Sequence, residues 1–174
     1  MIRKALVAFL LLTASATASA EAPKANGAYL GVSGGVTTAD TDDSGVLFES
    51  DQDVTVQVYL GYKFIKHFAM EARFADFGSY SVGSSYFDLS SLSIHAIGII
   101  PFGESGWELF GQIGAAKIRQ SSAGGSDKDS ATTLGLGVRW HINPKIAVGI
   151  QVDAYVWQDD RSVAAETLSF QVNF

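Results

Sequence analysis

The chain has 174 residues, with 18 Asp+Glu against 12 Lys+Arg, 18 Gly, 3 Pro and no Cys. The lack of Cys excludes disulfides, thiol chemistry, Cys-based metal sites and lipid attachment through a cysteine. The acidic balance excludes nucleic acid as a partner, since phosphate binding needs a basic face, and the length suffices for one domain.

The first element in the chain is a leader. Arg3 and Lys4 form a positive start, Ala5 to Leu12 is unbroken and apolar, and a small, weakly polar stretch ends in Ala18-Ser19-Ala20. This is the three-part pattern of a secretory signal, cleaved before Glu21. The apolar run is far short of the ~20 residues that a spanning helix needs. Residues 1–20 are therefore expected to be removed, leaving 21–174 as one domain. Two basic residues leave with the leader and no acidic ones, so that domain carries 10 Lys+Arg against 18 Asp+Glu, a net −8.

From there the dominant signal is alternation with period two, which marks strands with two unlike faces. Eight segments follow in order. In Ala28 to Val36, Leu30 and Val32 oppose Tyr29, Gly31 and Ser33. In Val54 to Phe64, Val54, Val56, Val58, Leu60 and Tyr62 oppose Thr55, Gln57, Tyr59, Gly61 and Lys63. In Phe68 to Phe77, Phe68, Met70, Ala72 and Phe74 oppose Glu71 and Arg73. Phe87 to Ile100 sets Leu92 and Ile94 against Ser91, Ser93 and His95.

The fifth segment, Trp107 to Ile118, alternates least clearly; Leu109, Ile113 and Ala115 are read outward, Gln112 and Gly114 inward. In the sixth, Leu134, Leu136, Val138 and Trp140 oppose Thr133, Gly135, Gly137 and Arg139. The seventh sets Ile146, Val148, Ile150, Val152, Ala154 and Val156 against Ala147, Gly149, Gln151, Asp153 and Tyr155. The eighth, Thr167 to Phe174, sets Leu168, Phe170, Val172 and Phe174 against Ser169, Gln171 and Asn173.

Connection lengths alternate too. Short turns fall at Ile65-Lys66, Pro101 to Gly106 and Ile142 to Lys145. Long polar connections fall at Thr37 to Asp53, Gly78 to Tyr86, Arg119 to Ala131 and Gln158 to Glu166. All the long ones lie at one end, the asymmetry of a transmembrane barrel with tight periplasmic turns and longer outer loops. An even strand number puts both termini on the periplasmic side. The expectation is an all-β, eight-stranded, antiparallel up-and-down transmembrane barrel in the outer membrane of a Gram-negative cell.

A soluble lipocalin-like barrel would alternate as well, but its polar faces would meet water and carry roughly 25–35% charge. Here the polar faces are Gly, Ser, Thr and Gln with few charges, as suits a narrow interior. The apolar faces carry none, as lipid requires. Tyr62, Phe64, Phe68, Phe77, Tyr80, Phe102, Trp107, Trp140, Trp157 and Phe174 gather near strand ends and are read as interfacial girdles.

Three stretches carry a family resemblance. Phe68-Ala-Met-Glu-Ala-Arg-Phe-Ala-Asp-Phe-Gly78 resembles the third strand of OmpA-like and OmpX-like eight-stranded barrels. Ile99-Ile-Pro-Phe-Gly103 with Leu109-Phe-Gly-Gln-Ile-Gly-Ala115 resembles their central hairpin. Leu168-Ser-Phe-Gln-Val-Asn-Phe174 is similar to the C-terminal signal read by the barrel-assembly machinery, with Leu168, Phe170, Val172 and Phe174 in its apolar positions. The resemblance implies that machinery as a partner. It covers the barrel only, with no peptidoglycan-binding domain after it, so no cell-wall anchoring is expected.

The inward charges Lys63, Glu71, Arg73, His95, Arg139 and Asp153, with Gln57, Gln112 and Gln151, form the candidate site. Buried charges must pair, so Glu71 or Asp153 is expected on Arg73 or Arg139. The sharper reading is a gated narrow pore, as the resemblance suggests; the plainer one is structural filling, because an eight-stranded lumen barely accommodates side chains. Ser93 and His95 share a face and raise a lipid A-modifying hydrolase, but an i, i+2 pair without an oxyanion hole is slender ground. Asp40, Asp42, Ser44 and Asp51 overlap calcium-loop spacing without flanking helices, and a solvated acidic loop is expected instead. Arg119 to Ser130 reads as a Gly/Ser-rich loop, and His67 and His141 as interfacial. No catalytic residue, metal or cofactor is expected. The expected role is structural or surface-interacting through four outer loops, in a monomer whose partners are outer-membrane lipid, lipopolysaccharide and an unidentified outer ligand.

Overall fold

The structure is a computed structural model that describes residues 26–41, 52–82, 85–122, 125–157 and 161–174; the leader lies outside them. The elements are β1 (Gly27–Thr41), β2 (Gln52–Ile65), β3 (Phe68–Val82), β4 (Ser85–Pro101), β5 (Trp107–Ser122), β6 (Gly125–Asn143), β7 (Ile146–Trp157) and β8 (Arg161–Asn173). Each strand pairs antiparallel with its chain neighbours, and β1 pairs with β8, closing the barrel. Closure leaves no open edge, which is what lets a sheet sit in lipid with every backbone group paired. Following partners round the wall from Leu30 leads through Leu60, Ala72, Ile94, Ala115, Thr132, Val156 and Ser162 back to β1 at Asp40. The stagger, from position 30 to position 40, means that the strands are tilted against the barrel axis.

The faces divide as the alternation predicts. Leu60, Ile94, Leu136, Ile150 and Leu168 are each more than half exposed on the outer wall, while Gln57, Arg73, His95 and Asp153 are fully buried inside. The inversion of the usual soluble pattern, with apolar outside and polar inside, is the mark of a wall solvated by lipid. Outward charges depart from the expectation of an uncharged apolar face: Asp76, Asp88, Lys117 and Glu166 are all exposed on the outer parity of their strands. Glu166, assigned from sequence to the last long connection, is an exposed outward residue of β8 with Val36 and Val152 as its ladder partners.

Inside, two aromatic rings lie against the neighbouring strand where glycine leaves them room. Tyr29 lies opposite Gly61 and Tyr59 opposite Gly31 on the β1–β2 ladder. A Cβ at Gly31 would collide with the Tyr59 ring, and one at Gly61 with the Tyr29 ring. Each tyrosine thus lies across the other strand's glycine, and the two rings meet edge-on with centroids 6.3 Å apart. In the β4–β5 turn, Gly103 and Gly106 hold φ of 60° and 76°, a region costly for other residues.

Three of the expected long connections prove to be mostly strand. β3 runs on to Val82 and β4 begins at Ser85; β5 reaches Ser122 and β6 begins at Gly125; β8 begins at Arg161. Hydrophobic alternation stops where the apolar belt stops, but the backbone ladder does not, because extended backbone pairs equally well in water. Arg119–Ser122 and Gly125–Ser130 accordingly pair as strand instead of forming a loop. Asp40 likewise falls in β1. Asp42, Ser44 and Asp51 lie outside the described residues, and among those described no group of three His, Asp or Glu could hold a metal.

Candidate functional site

The lumen is stacked in three layers, each set by strand register. The middle layer centres on Arg73 of β3. Its guanidinium donates to Glu71 Oε1 at 2.6 and 3.0 Å and, across the barrel, to Asp153 Oδ2 of β7 at 2.7 Å. Gln112 Oε1 accepts from Arg73 at 3.1 Å, and Gln112 Nε2 also donates to Asp153. Gln151 donates to Asp153 at 2.8 Å, and the Tyr29 hydroxyl to Glu71 Oε2 at 3.1 Å. Two carboxylates and one cation thus share a nearly closed set of charge-assisted bonds, the form in which buried charge is tolerable. Both expected acids fall on Arg73, and neither on Arg139.

Arg139 belongs to a second layer, nearer the short turns. Lys63 Nζ lies 2.8 Å from Glu108 Oε1, Arg139 3.8 Å from Glu108 Oε2, and His141 Nε2 3.0 Å from that same oxygen. The Arg139 guanidinium also lies over the Phe110 ring, 4.7 Å from its centroid. Two members of this layer escaped the sequence reading. Glu108 is 2% exposed, in the strand where alternation was weakest, and His141 is 1% exposed inside the wall instead of at the interface. Charge balance was the available signal for Glu108. The inward set read from sequence held three firm cations and only two carboxylates. Glu108 makes the described lumen three against three: Lys63, Arg73 and Arg139 with Glu71, Glu108 and Asp153.

The third layer, toward the long connections, is apolar. Ala75, Phe77, Leu89, Ala116, Ile118, Ala131, Tyr155, Val163 and Ala165 form one buried cluster. Phe77 meets Tyr155 edge-on at 4.9 Å. Phe77 was read as part of an aromatic girdle; it is fully buried because it continues the inward parity of Glu71, Arg73 and Ala75. The turn-end girdle does exist on the outer wall, with Tyr62, Phe64 and Phe68 in contact and Trp107 stacked on Trp140 at 5.8 Å.

His95 and Ser93 are brought together, Nε2 to Oγ at 2.7 Å. The other ring nitrogen faces the Thr133 hydroxyl at 3.4 Å, where a catalytic triad would place a carboxylate. Both residues are fully enclosed by the wall, Ser93 1% and His95 0% exposed. The arrangement satisfies buried polar atoms and leaves the nucleophile inaccessible.

A closed, eight-stranded, up-and-down barrel with an apolar outer wall and a packed polar interior defines the class of small outer-membrane barrels. The family sequence model described as the outer membrane protein beta-barrel domain matches residues 5–174, and the chain belongs to that family. No curated protein matches it. Among solved structures it is similar to Neisserial surface protein A, at 15% identity over 84% of this chain and 97% of that one, with a TM-score of 0.72. It is similar also to Ail, the attachment invasion locus protein of Yersinia pestis, seen with the heparin analogue sucrose octasulfate, at 16% identity over 86% and 99% with a TM-score of 0.62. A third is the outer membrane protein OprG from Pseudomonas aeruginosa, at 12% identity over 90% and 99% with a TM-score of 0.59. At such identities the likeness is one of fold.

Proposed function

We propose that the protein is a surface-exposed barrel of a Gram-negative outer membrane, exported by its cleaved leader, whose lumen is structural and whose work is done outside. The observation that carries this reading is the filled interior: an ionic lock at mid-height and an apolar plug above it. A side-chain-filled eight-stranded interior holds the wall in shape and leaves the loop end as the surface available to partners. On this reading the barrel is a monomer in lipid, both termini face the periplasm, and Leu168, Phe170, Val172 and Phe174 are what the assembly machinery reads.

The chain's lack of Cys permits a clean test of orientation. Ser126, at the start of β6, and Lys145, in the β6–β7 turn, are both exposed. In intact cells a membrane-impermeant maleimide should label Ser126→Cys and not Lys145→Cys; labelling of Lys145→Cys alone would overturn the reading. The second reading, a gated narrow pore, is favoured by the charged groups in the lower two layers and opposed by the apolar third.

A further inference from the structure

Among the described residues the outer wall carries one concentration of positive charge, immediately above the apolar belt. On β5 the outward residues run Leu109, Ile113, Ala115 and then Lys117 and Arg119, with Ile118 buried between the two cations. On β6 the outward parity runs from Leu136 and Leu134 through Thr132 and Ser130 to Lys128. The register sets Arg119 directly opposite Lys128 and Lys117 opposite Ser130. On the other side Lys117 borders Leu92 and Arg119 borders Ser90 of β4. All three cations are exposed, and none has an ion-pair partner among the described residues.

Two like charges directly opposite on a ladder are destabilising. Neither cation of the pair has a carboxylate within ion-pair distance among the described residues. Asp127 and Asp129 alternate with Lys128 and take the other face of the strand, and the nearest outward acid, Asp88, accepts a hydrogen bond from the Ser79 hydroxyl at 2.6 Å. An anion from outside the chain is what would turn this repulsion into attraction. The position names the anion's source. Long cationic side chains rooted just above a lipid-facing belt extend to the headgroup level. A guanidinium there binds phosphate oxygens in bidentate fashion, and ammonium groups add charge.

We propose that Lys117, Arg119 and Lys128 form a binding site on the outer wall for the phosphorylated sugar headgroup of an outer-leaflet glycolipid. The site rests on the reading of that wall as lipid-facing and of the loop end as outermost. It holds the lipid against β4–β6 and fixes the barrel's depth on that side.

The test uses the folded full-length barrel in detergent, incubated with bis-phosphorylated lipid A and examined by native mass spectrometry. The combined variant Lys117→Gln, Arg119→Gln, Lys128→Gln removes all three cations and should retain the lipid at least ~10-fold less well. A control variant, Lys66→Gln with Lys145→Gln, removes exposed cations from the turn end and should bind as the parent does. Dephosphorylated lipid A should bind the parent as weakly as it binds the triple variant, and millimolar inorganic phosphate should not displace the intact lipid. Equal retention by parent and triple variant, with both still heat-modifiable on gels, would overturn the site. Displacement by free phosphate would overturn the lipid as its source. Loss of lipid in the turn-end control alone would instead overturn the assigned orientation.

Discussion

The two ionic layers of the lumen both pair buried carboxylates with buried cations and are held very differently. At mid-height one cation, Arg73, is held by two carboxylates and Gln112 at 2.6 to 3.1 Å. Near the turns one carboxylate, Glu108, is shared by Lys63, His141 and, at 3.8 Å, Arg139. The first has a single indispensable cation and the second a single indispensable anion. What matters in each is the group with no substitute, since breaking a buried pair strands its partner in a low dielectric.

The comparison is sharpened by removing those groups in turn. Arg73→Ala strands Glu71 and Asp153 together and should destabilise the barrel most, by about 4 kcal/mol in urea unfolding from lipid vesicles. Adding Glu71→Gln and Asp153→Asn to it should restore most of the loss, which a purely steric role for Arg73 would not allow. Phe77→Ala opens a cavity in the apolar layer and should lose about 3 kcal/mol by the same measurement. Glu108→Gln leaves two cations uncompensated and should lose about 2 kcal/mol, whereas Lys63→Met, which leaves Glu108 with Arg139 and His141, should lose less than about 1 kcal/mol. Equal losses for the last two would erase the distinction between the layers. His95→Ala should leave the lipid A mass spectrum of the host cell unchanged; a new or missing acyl chain would reopen the hydrolase reading.

How much of this was legible in the sequence follows from what period-two alternation can and cannot carry. In β7 every residue from Ile146 to Val156 takes the face its parity assigns, because each apolar residue has a polar or small neighbour on both sides. In β5 the run Trp107-Glu108-Leu109-Phe110 mixes a charge and large apolar residues on both parities, so Glu108 was lost and with it the centre of the turn-end layer. His141 and Phe77 were misplaced for a shared reason. Both lie near strand ends, where aromatic and histidine side chains commonly mark an interface, but parity with Arg139 and Ala75, two residues away, sets both inward. The strand extensions beyond the belt were hidden because polar residues on both faces leave no alternation to read. The pairing of particular charges depends on the stagger around the barrel, which brings Arg73 of β3 to Asp153 of β7, and no local pattern records that.

The central claim is that the lumen is a filled structural core, and single-channel recording tests it most directly. The folded parent protein in a planar bilayer should be electrically silent under an applied voltage, because the Phe77–Tyr155 layer leaves no continuous aqueous path above the Arg73 lock. Reproducible unitary conductance steps from the parent protein, abolished by a change at Arg73 or Glu108, would contradict it and make the pore the working reading.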